Sequence, residues 1–183
     1  MEITYPSERF PGPPVIRFDL ADGWDTADAP PAQITVFDTN SPEHFRVNLM
    51  ISVKRIATEA TIVRVAEQFA EETRSRYPDY DIVGERRTML NGLEAIVRAQ
   101  AVTPLGSEYP IFQAELLQFA PDPRPGLRDL VQLHASCPGD MAEHYSPIFK
   151  AMIESLTLAA ADGSQPGAAA PAAHTATPGV EAF

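Results

Sequence analysis

The residues with the clearest chemical potential are Cys137 and His134, which lie three positions apart near the end of a strand-like segment. A thiol becomes a nucleophile when a nearby base or a helix N-terminus lowers its pKa, and a helix is predicted shortly after Cys137. The pair therefore points to one candidate activity, that of a cysteine-dependent enzyme. The alternative is that Cys137 is a small buried hydrophobe at a strand end, and it is favoured because free cysteine is usually buried.

A metal site is the second chemistry to consider, with His134, Cys137, Glu143 and His144 as the ligands. Their spacing matches no zinc pattern, and a second close pair of ligands is missing. The sequence contains neither a GxSxG nucleophile elbow nor a glycine-rich phosphate loop. It therefore predicts no catalytic residue, no metal site and no cofactor, and we expect a protein that is not an enzyme.

Three apolar side chains are candidates for contact with a partner: Trp24, Met50 and Phe112. Trp24 follows an Asp-Gly turn, where its ring could anchor a partner or pack against the core, and packing is favoured. Depending on strand register, Met50 and Phe112 are expected on the sheet face opposite the main core. Exposed together with other apolar residues of that face, they would form a patch typical of binding surfaces. Those other residues are Ile96, Val102 and Leu116.

Composition narrows the classes of partner and the location of the protein. The 183 residues include 14 basic and 25 acidic side chains, giving a formal charge of −11, which repels phosphate backbones and argues against nucleic-acid binding. A single cysteine excludes an intrachain disulfide. No secretory signal is recognisable at the N-terminus, and no apolar run approaches the roughly 20 residues that span a bilayer. We therefore expect a cytoplasmic protein with no transmembrane segment.

Proline and alanine content suggests the domain boundaries. Four prolines in residues 1–14 predict an extended N-terminal arm, and residues 15–158 are expected to form a single α+β domain. Residues 159–183 are rich in alanine, proline and glycine and are predicted to be a flexible tail. The final GVEAF of this tail could still dock as a short extended segment.

Hydrophobic periodicity places the secondary structure that must position these residues. Alternating apolar residues predict strands, the longest of them FRVNLMISVKRI at 45–56. The predicted strands are 15–20, 33–37, 45–56, 80–89, 93–103, 109–120 and 128–136. Asn91-Gly92 between two of them is a strong hairpin signal.

Two helices are predicted from apolar residues that recur every three or four positions. The first is expected at about 58–77, capped by Thr58 and ended by Pro78, and the second within 141–156. Because Pro147 lies inside the second pattern, that helix is expected to begin near Ser146 or to be kinked. The pattern predicts an α+β fold with an antiparallel sheet of six or seven strands packed against two amphipathic helices. Both helices, or a second sheet layer, are expected to cover the apolar face of the strand at 45–56.

Four segments resemble a known fold family: FDLADGW at 18–24, FRVNLMISVKRI at 45–56, LNGLEA at 90–95 and MIESLTL at 152–158. Together they are similar to the Mog1/PsbP-like fold, and in particular to small actinobacterial LpqN-type proteins. The resemblance extends over roughly residues 15–158. It implies an α/β/α sandwich and a non-enzymatic binding or accessory module.

Two departures from the LpqN-type pattern affect the function that the resemblance implies. Ala21 stands where relatives tend to have proline before Gly-Trp, and the lipoprotein signal of many relatives is not recognisable. The first hypothesis is therefore a cytoplasmic adaptor or chaperone-like protein that engages a protein partner through a sheet face or groove. The alternative is a site for a hydrophobic small molecule or lipid. Homodimer formation is open.

Overall fold

The structure is a computed structural model, and it describes residues 12–57, 59–107, 109–121 and 127–160. The arm predicted at 1–14 lies mostly outside these ranges, and the tail predicted at 159–183 lies almost wholly outside them. Both stay predictions, as does docking of the terminal GVEAF.

Strands dominate the described residues, and two helices interrupt them. In chain order the elements are β1 (Val15–Arg17), β2 (Trp24–Ala27), β3 (Ile34–Asp38), β4 (Asn48–Ala57), α1 (Ile62–Arg76), β5 (Asp81–Leu90), β6 (Leu93–Val102), β7 (Ile111–Phe119), β8 (Leu127–Pro138), α2 (Ala142–Ser155) and β9 (Thr157–Ala159). A single turn of 3₁₀ helix, Gly139–Met141, leads into α2. None of the described helices has the length and apolarity that crossing a bilayer requires.

Seven strands form one antiparallel sheet in the order β2-β3-β4-β8-β7-β6-β5, so the predicted sheet and fold class are confirmed. The hairpin between β5 and β6 follows its sequence signal: Asn91 has φ of 50° and Gly92 has φ of 82°. Two successive positive φ values match the twist of the flanking strands, and Leu90 pairs with Leu93 across the turn. This hairpin leaves β5 at the edge of the sheet.

The helices lie on opposite faces of the sheet. Tyr145 and Phe149 of α2 pack in the same core as Leu49 of β4, whereas Ile62 of α1 packs with Leu117 of β7 in a separate core. The expectation that both helices cover the apolar face of β4 is therefore wrong for α1. Consecutive apolar pairs in the central strands, such as Leu116-Leu117 and Leu130-Val131, bury side chains on both faces and require a cover on each.

Local chemistry shifts both helix boundaries from their predicted positions. The first helix begins at Ile62 and is capped by the Thr61 hydroxyl, which accepts a hydrogen bond from the Arg64 backbone N–H. The second begins at Ala142, four residues before Ser146, and continues through Pro147. Pro147 is exposed, so the carbonyl that loses its intrahelical donor lies near solvent, where water can replace the bond.

Two short strands, β2 and β9, are not predicted by the alternation of apolar residues. Trp24 begins β2, which pairs with β3 at one edge of the sheet, and β9 pairs with β1 in a separate two-stranded sheet. In that small sheet Ile16 lies opposite Leu158. Strands of three or four residues show too few alternate positions to be recognised from period alone.

Candidate ligand-binding groove

An apolar groove of about 540 Å³ lies between α2 and the edge of the sheet formed by β5 and β6. We call it the α2 groove. Its floor comes from β5, β6 and β7, and its wall comes from one side of α2. The lining residues are Gly84, Glu85, Arg86, Thr88, Met89, Leu90, Val97, Arg98, Ala99, Phe112, Ala114, Ser146, Lys150, Ile153 and Glu154.

The groove exists because small residues occupy three adjacent strands where α2 does not cover them. Ala99 of β6 pairs with Gly84 of β5 on one side and with Ala114 of β7 on the other. A side chain built on Gly84 would meet no atom within 4 Å. The helix itself packs over β7 and β8, so the floor toward β5 stays open.

A buried polar contact and stacked rings fix α2 over the sheet. The Tyr145 hydroxyl donates to the Asp38 carboxylate at 2.6 Å, and burial together with that carboxylate raises the pKa of Tyr145 to about 12. The Phe149 ring lies between Tyr145, at a centroid distance of 5.8 Å, and Trp24, at 6.2 Å edge to face. The wall of the groove therefore belongs to a well-anchored helix.

Charged side chains surround the apolar floor, and most of them are already paired. Glu85 and Arg98 project to the opposite face of the sheet, where Glu85 accepts from Arg98 at 2.6 Å, and Lys150 lies 3.8 Å from Glu154 on the next turn of α2. Arg86 is exposed, and it makes no ion pair or hydrogen bond with any residue in the described ranges. The rim thus carries one cation whose charge is not balanced by a carboxylate of the described part of the chain.

The opposite face of the sheet carries a buried polar cluster centred on Arg98, which is 2% exposed. Its guanidinium donates to Glu85, to Glu115 at 3.0 Å and to the Ala66 carbonyl of α1 at 3.0 Å. Burial alone favours the neutral form, but the hydrogen bond to Glu85 and the charge of Glu115 outweigh it and raise the pKa of Arg98. The other oxygen of Glu115 accepts from Gln132 at 3.1 Å. The cluster is internally satisfied and joins α1 to the sheet.

His134 lies next to this cluster, 3.5 Å from Glu115, and not beside Cys137. Burial lowers the pKa of His134, an effect that the negative charge of Glu115 opposes and the positive charges of Lys54 and Arg98 reinforce. At neutral pH the imidazole is therefore uncharged.

The structure separates the pair on which a cysteine-dependent activity would rest. Cys137 is fully buried on the α2 side of the sheet, and His134 projects from the other side, because residues three apart on a strand face opposite ways. Burial and the nearby Asp140 carboxylate raise the pKa of Cys137 to about 11, so the thiol stays protonated. Within the described ranges no three His, Cys, Asp or Glu side chains are placed to hold a metal ion.

The three partner-binding candidates fall in three different environments. Trp24 is 8% exposed and packs on Phe149, which leaves little of its ring for a partner. Met50 is 40% exposed on the α1 side of the sheet, opposite His134. Phe112 is half-buried and lines the α2 groove. The five apolar residues expected to share one patch are divided between both faces, and only Met50 among them is exposed.

Comparison with known proteins gives matches in structure only. No model of a known protein family matches the sequence, and no curated protein sequence matches it. The structure is similar to LpqN, a protein involved in cell envelope biogenesis of Mycobacterium tuberculosis, with a TM-score of 0.66 and 17% identity over 81% of this chain and 86% of LpqN. It is also similar to the cyanobacterial PsbP of Synechocystis, with a TM-score of 0.55 and 13% identity over 78% of this chain and 86% of that protein.

The chain has the Mog1/PsbP-like fold. The resemblance predicted from four short segments is confirmed at the level of fold, and identities this low carry no statement about activity.

Within this Mog1/PsbP-like fold, the sequence pointed to Phe112 but not to the small residues that leave the groove open. Ala99 and Ala114 have low strand propensity, and Gly84 lies at a register shift between β5 and β6. Small residues that recur on neighbouring strands are a recognisable signal for a hollow sheet face, but only once strand order and register are known. Arg86 was not singled out because its exposure beside an apolar floor depends on the same register.

Proposed function

We propose that this chain is a non-enzymatic binding module, and that the α2 groove binds a single-chain amphiphile. The observation that carries the proposal is an open, mostly apolar hollow of about 540 Å³ whose wall and floor are both held by the core. Small-molecule sites are typically 300–1,000 Å³, mostly apolar, with a few polar groups at defined places.

The physical driving force is the burial of an alkyl chain over Val97, Ala99 and Phe112. Each methylene group removed from water contributes about 0.8 kcal/mol, so a chain of ten or more carbons binds usefully even when partly exposed. The polar head group would stay at the rim, where Arg86 and Lys150 lie. LpqN is described as involved in cell envelope biogenesis. That setting is rich in amphiphiles, and this supports a lipid-like occupant.

Engagement of a protein partner is the second candidate, and one surface favours it. The loop between β6 and β7 exposes Leu105 at 81% and Tyr109 at 69%. Tyr109 also contacts His44, with the ring centroids 6.5 Å apart. Exposed apolar and aromatic side chains on a loop are suited to contact with another protein. The adaptor or chaperone role, the homodimer and the cytoplasmic location predicted from the sequence stay predictions.

Binding of monolaurin to the purified protein tests the proposal by isothermal titration calorimetry below the critical micelle concentration. We expect 1:1 binding to the wild type, and we expect the Ala99→Phe variant to bind at least about tenfold more weakly because the new ring fills the floor. Ala151→Phe is the matched control, since Ala151 is exposed on α2 and does not line the groove.

Two results would count against this reading. Equal affinity of wild type and Ala99→Phe for monolaurin places the ligand elsewhere. Absence of binding to monolaurin and to related C12 amphiphiles removes the amphiphile altogether. A partner protein captured equally well by wild type and Ala99→Phe, but lost with Leu105→Ser, would favour the second candidate.

A further inference from the structure

Resting on the proposed function, we infer that the head group of the amphiphile is anionic and that Arg86 binds it. The inference names the class of ligand, which neither the fold nor its relatives specify. It depends on the charges around the α2 groove and on the direction in which neighbouring residues of β5 project.

The position of Arg86 places its charge at the groove. Arg86 pairs with Val97 of β6, and Val97 forms part of the apolar floor. Lys150 stands on the facing wall, on α2. A head group that leaves the floor between these two elements meets a cation on each side.

The acidic residues near the groove leave the charge of Arg86 unbalanced. Glu85 is held by Arg98, with donors at 2.6 and 2.9 Å, and Glu154 lies 3.8 Å from Lys150. Each acid therefore has a cation of its own, and Arg86 remains without a carboxylate partner among the described residues. Among the charged lining residues whose side chains project to this face, Arg86 and Lys150 are basic and Glu154 is acidic, because Glu85 and Arg98 project from the opposite face of the sheet.

This local balance is opposite in sign to the chain as a whole, whose formal charge is −11. An anion approaching most of the surface is repelled, so an anionic ligand gains selectively at this rim. A guanidinium presents paired N–H donors that match the two oxygens of a carboxylate, or two oxygens of a phosphate. The apolar floor and the Arg86 guanidinium, which no carboxylate in the described ranges pairs with, together fit a fatty-acid-like molecule.

The strand offers its own control, because Arg87 projects from the other face. Arg87 pairs across the strands with Ile96 and forms a salt bridge with Glu94, away from the groove. Arg86→Gln and Arg87→Gln remove the same charge from adjacent positions of one strand. They change the net charge of the protein equally, so any difference between them reports on the groove.

The test compares laurate with monolaurin, which carry the same alkyl chain, as monomers at pH 8 by isothermal titration calorimetry. We expect the wild type to bind laurate about tenfold more tightly than monolaurin, the range of a hydrogen-bonded charge contact. Arg86→Gln should remove this preference, so that laurate and monolaurin bind the variant with similar affinity. Arg87→Gln should keep the preference. Dodecyl phosphate, measured alongside, shows whether carboxylate or phosphate is favoured, with the same dependence on Arg86.

The outcomes separate this inference from the proposed function. If monolaurin and laurate bind equally, or if Arg86→Gln and Arg87→Gln behave alike, the anionic head group is wrong while amphiphile binding stands. If none of the three C12 ligands binds, the proposed function fails as well. Because Arg86 is exposed and its substitution leaves the core intact, unfolding of the variant is not expected to obscure the result.

Discussion

Two hollows of the same size, each about 540 Å³, lie beside β5 on opposite faces of the sheet. The α2 groove has an apolar floor, and at its rim Arg86 has no carboxylate partner among the residues that the structure describes. The hollow next to α1, which we call the α1 hollow, is lined by Glu67, Ala70, Glu71, Arg74, Ser75, Ile82, Glu85 and Arg98. Volume alone therefore does not identify a binding site. The two differ in their lining, since the α2 groove has an apolar floor and most of the residues that line the α1 hollow are charged.

In the α1 hollow the buried charged residue, Arg98, has its hydrogen-bond partners within the protein. Arg98 and Glu115 are both 2% exposed, and each is hydrogen-bonded to protein on more than one side. Removing such groups from water costs several kcal/mol per charge, and the cost is offset only when the geometry satisfies every donor and acceptor. A ligand that entered here would have to break those bonds first. The comparison gives the Arg98 cluster a structural role and is consistent with the binding role proposed for the α2 groove.

The largest expected effect comes from breaking the buried cluster at Glu115. Glu115→Leu leaves Arg98 with a single carboxylate, Glu85, which is partly exposed, and takes an acceptor from Gln132. We expect a loss of about 3–5 kcal/mol in the free energy of unfolding, measured by urea denaturation. Affinity for monolaurin, measured where the variant is still folded, should not change.

Glu94→Leu is the matched control for this substitution. Glu94 pairs with Arg87 on the same face of the sheet, but its side chain is 41% exposed. Because exposed ion pairs contribute about 0.2–1 kcal/mol, we expect a loss below about 1 kcal/mol. Similar losses for Glu94→Leu and Glu115→Leu would contradict the structural role of the buried cluster.

The contrast between the two faces of the sheet also shows which features can be predicted from the sequence and which cannot. Long strands, the Asn91-Gly92 turn and both helices follow from period and turn chemistry, which are local properties. The side on which α1 lies depends on pairing between distant strands, for example Arg98 with Glu115. Neither the polar cluster nor the groove can be derived without that register. The candidate pair of Cys137 and His134 needs only local reasoning, since an odd spacing on a strand divides two residues between its faces, in agreement with the favoured prediction of a buried cysteine.

The second prediction concerns Cys137, on the α2 side of the sheet. The thiol is fully buried among α2-side core residues, and its pKa is raised to about 11. At pH 8 the native protein should therefore react with 5,5′-dithiobis(2-nitrobenzoic acid) at least about a hundredfold more slowly than the urea-unfolded chain. Absorbance at the thiolate product band follows both rates. Rapid labelling of the native protein would revive a cysteine-dependent activity and undermine the non-enzymatic proposal.

The smallest expected effect is the contribution of His134, on the α1 side of the sheet, to the pH dependence of stability. Its pKa is lowered in the native state, chiefly by burial, so the native imidazole stays neutral when the unfolded chain already binds a proton. Above the unfolded pKa of about 6.5 both states are neutral and His134 contributes no pH dependence. As pH falls below that value the unfolded state gains protons first, and stability decreases.

Comparison of wild type with His134→Gln isolates this contribution. Between pH 7.5 and pH 5.5 we expect the wild type to lose more unfolding free energy than the variant, measured by urea denaturation at both pH values. His144→Gln is the control, because it removes an imidazole that is exposed to solvent in the native protein. If His134→Gln and wild type show the same pH dependence, the imidazole is not held neutral beside Glu115. Water would then reach the α1 face of the sheet, and the contrast between the α1 hollow and the α2 groove would be weaker.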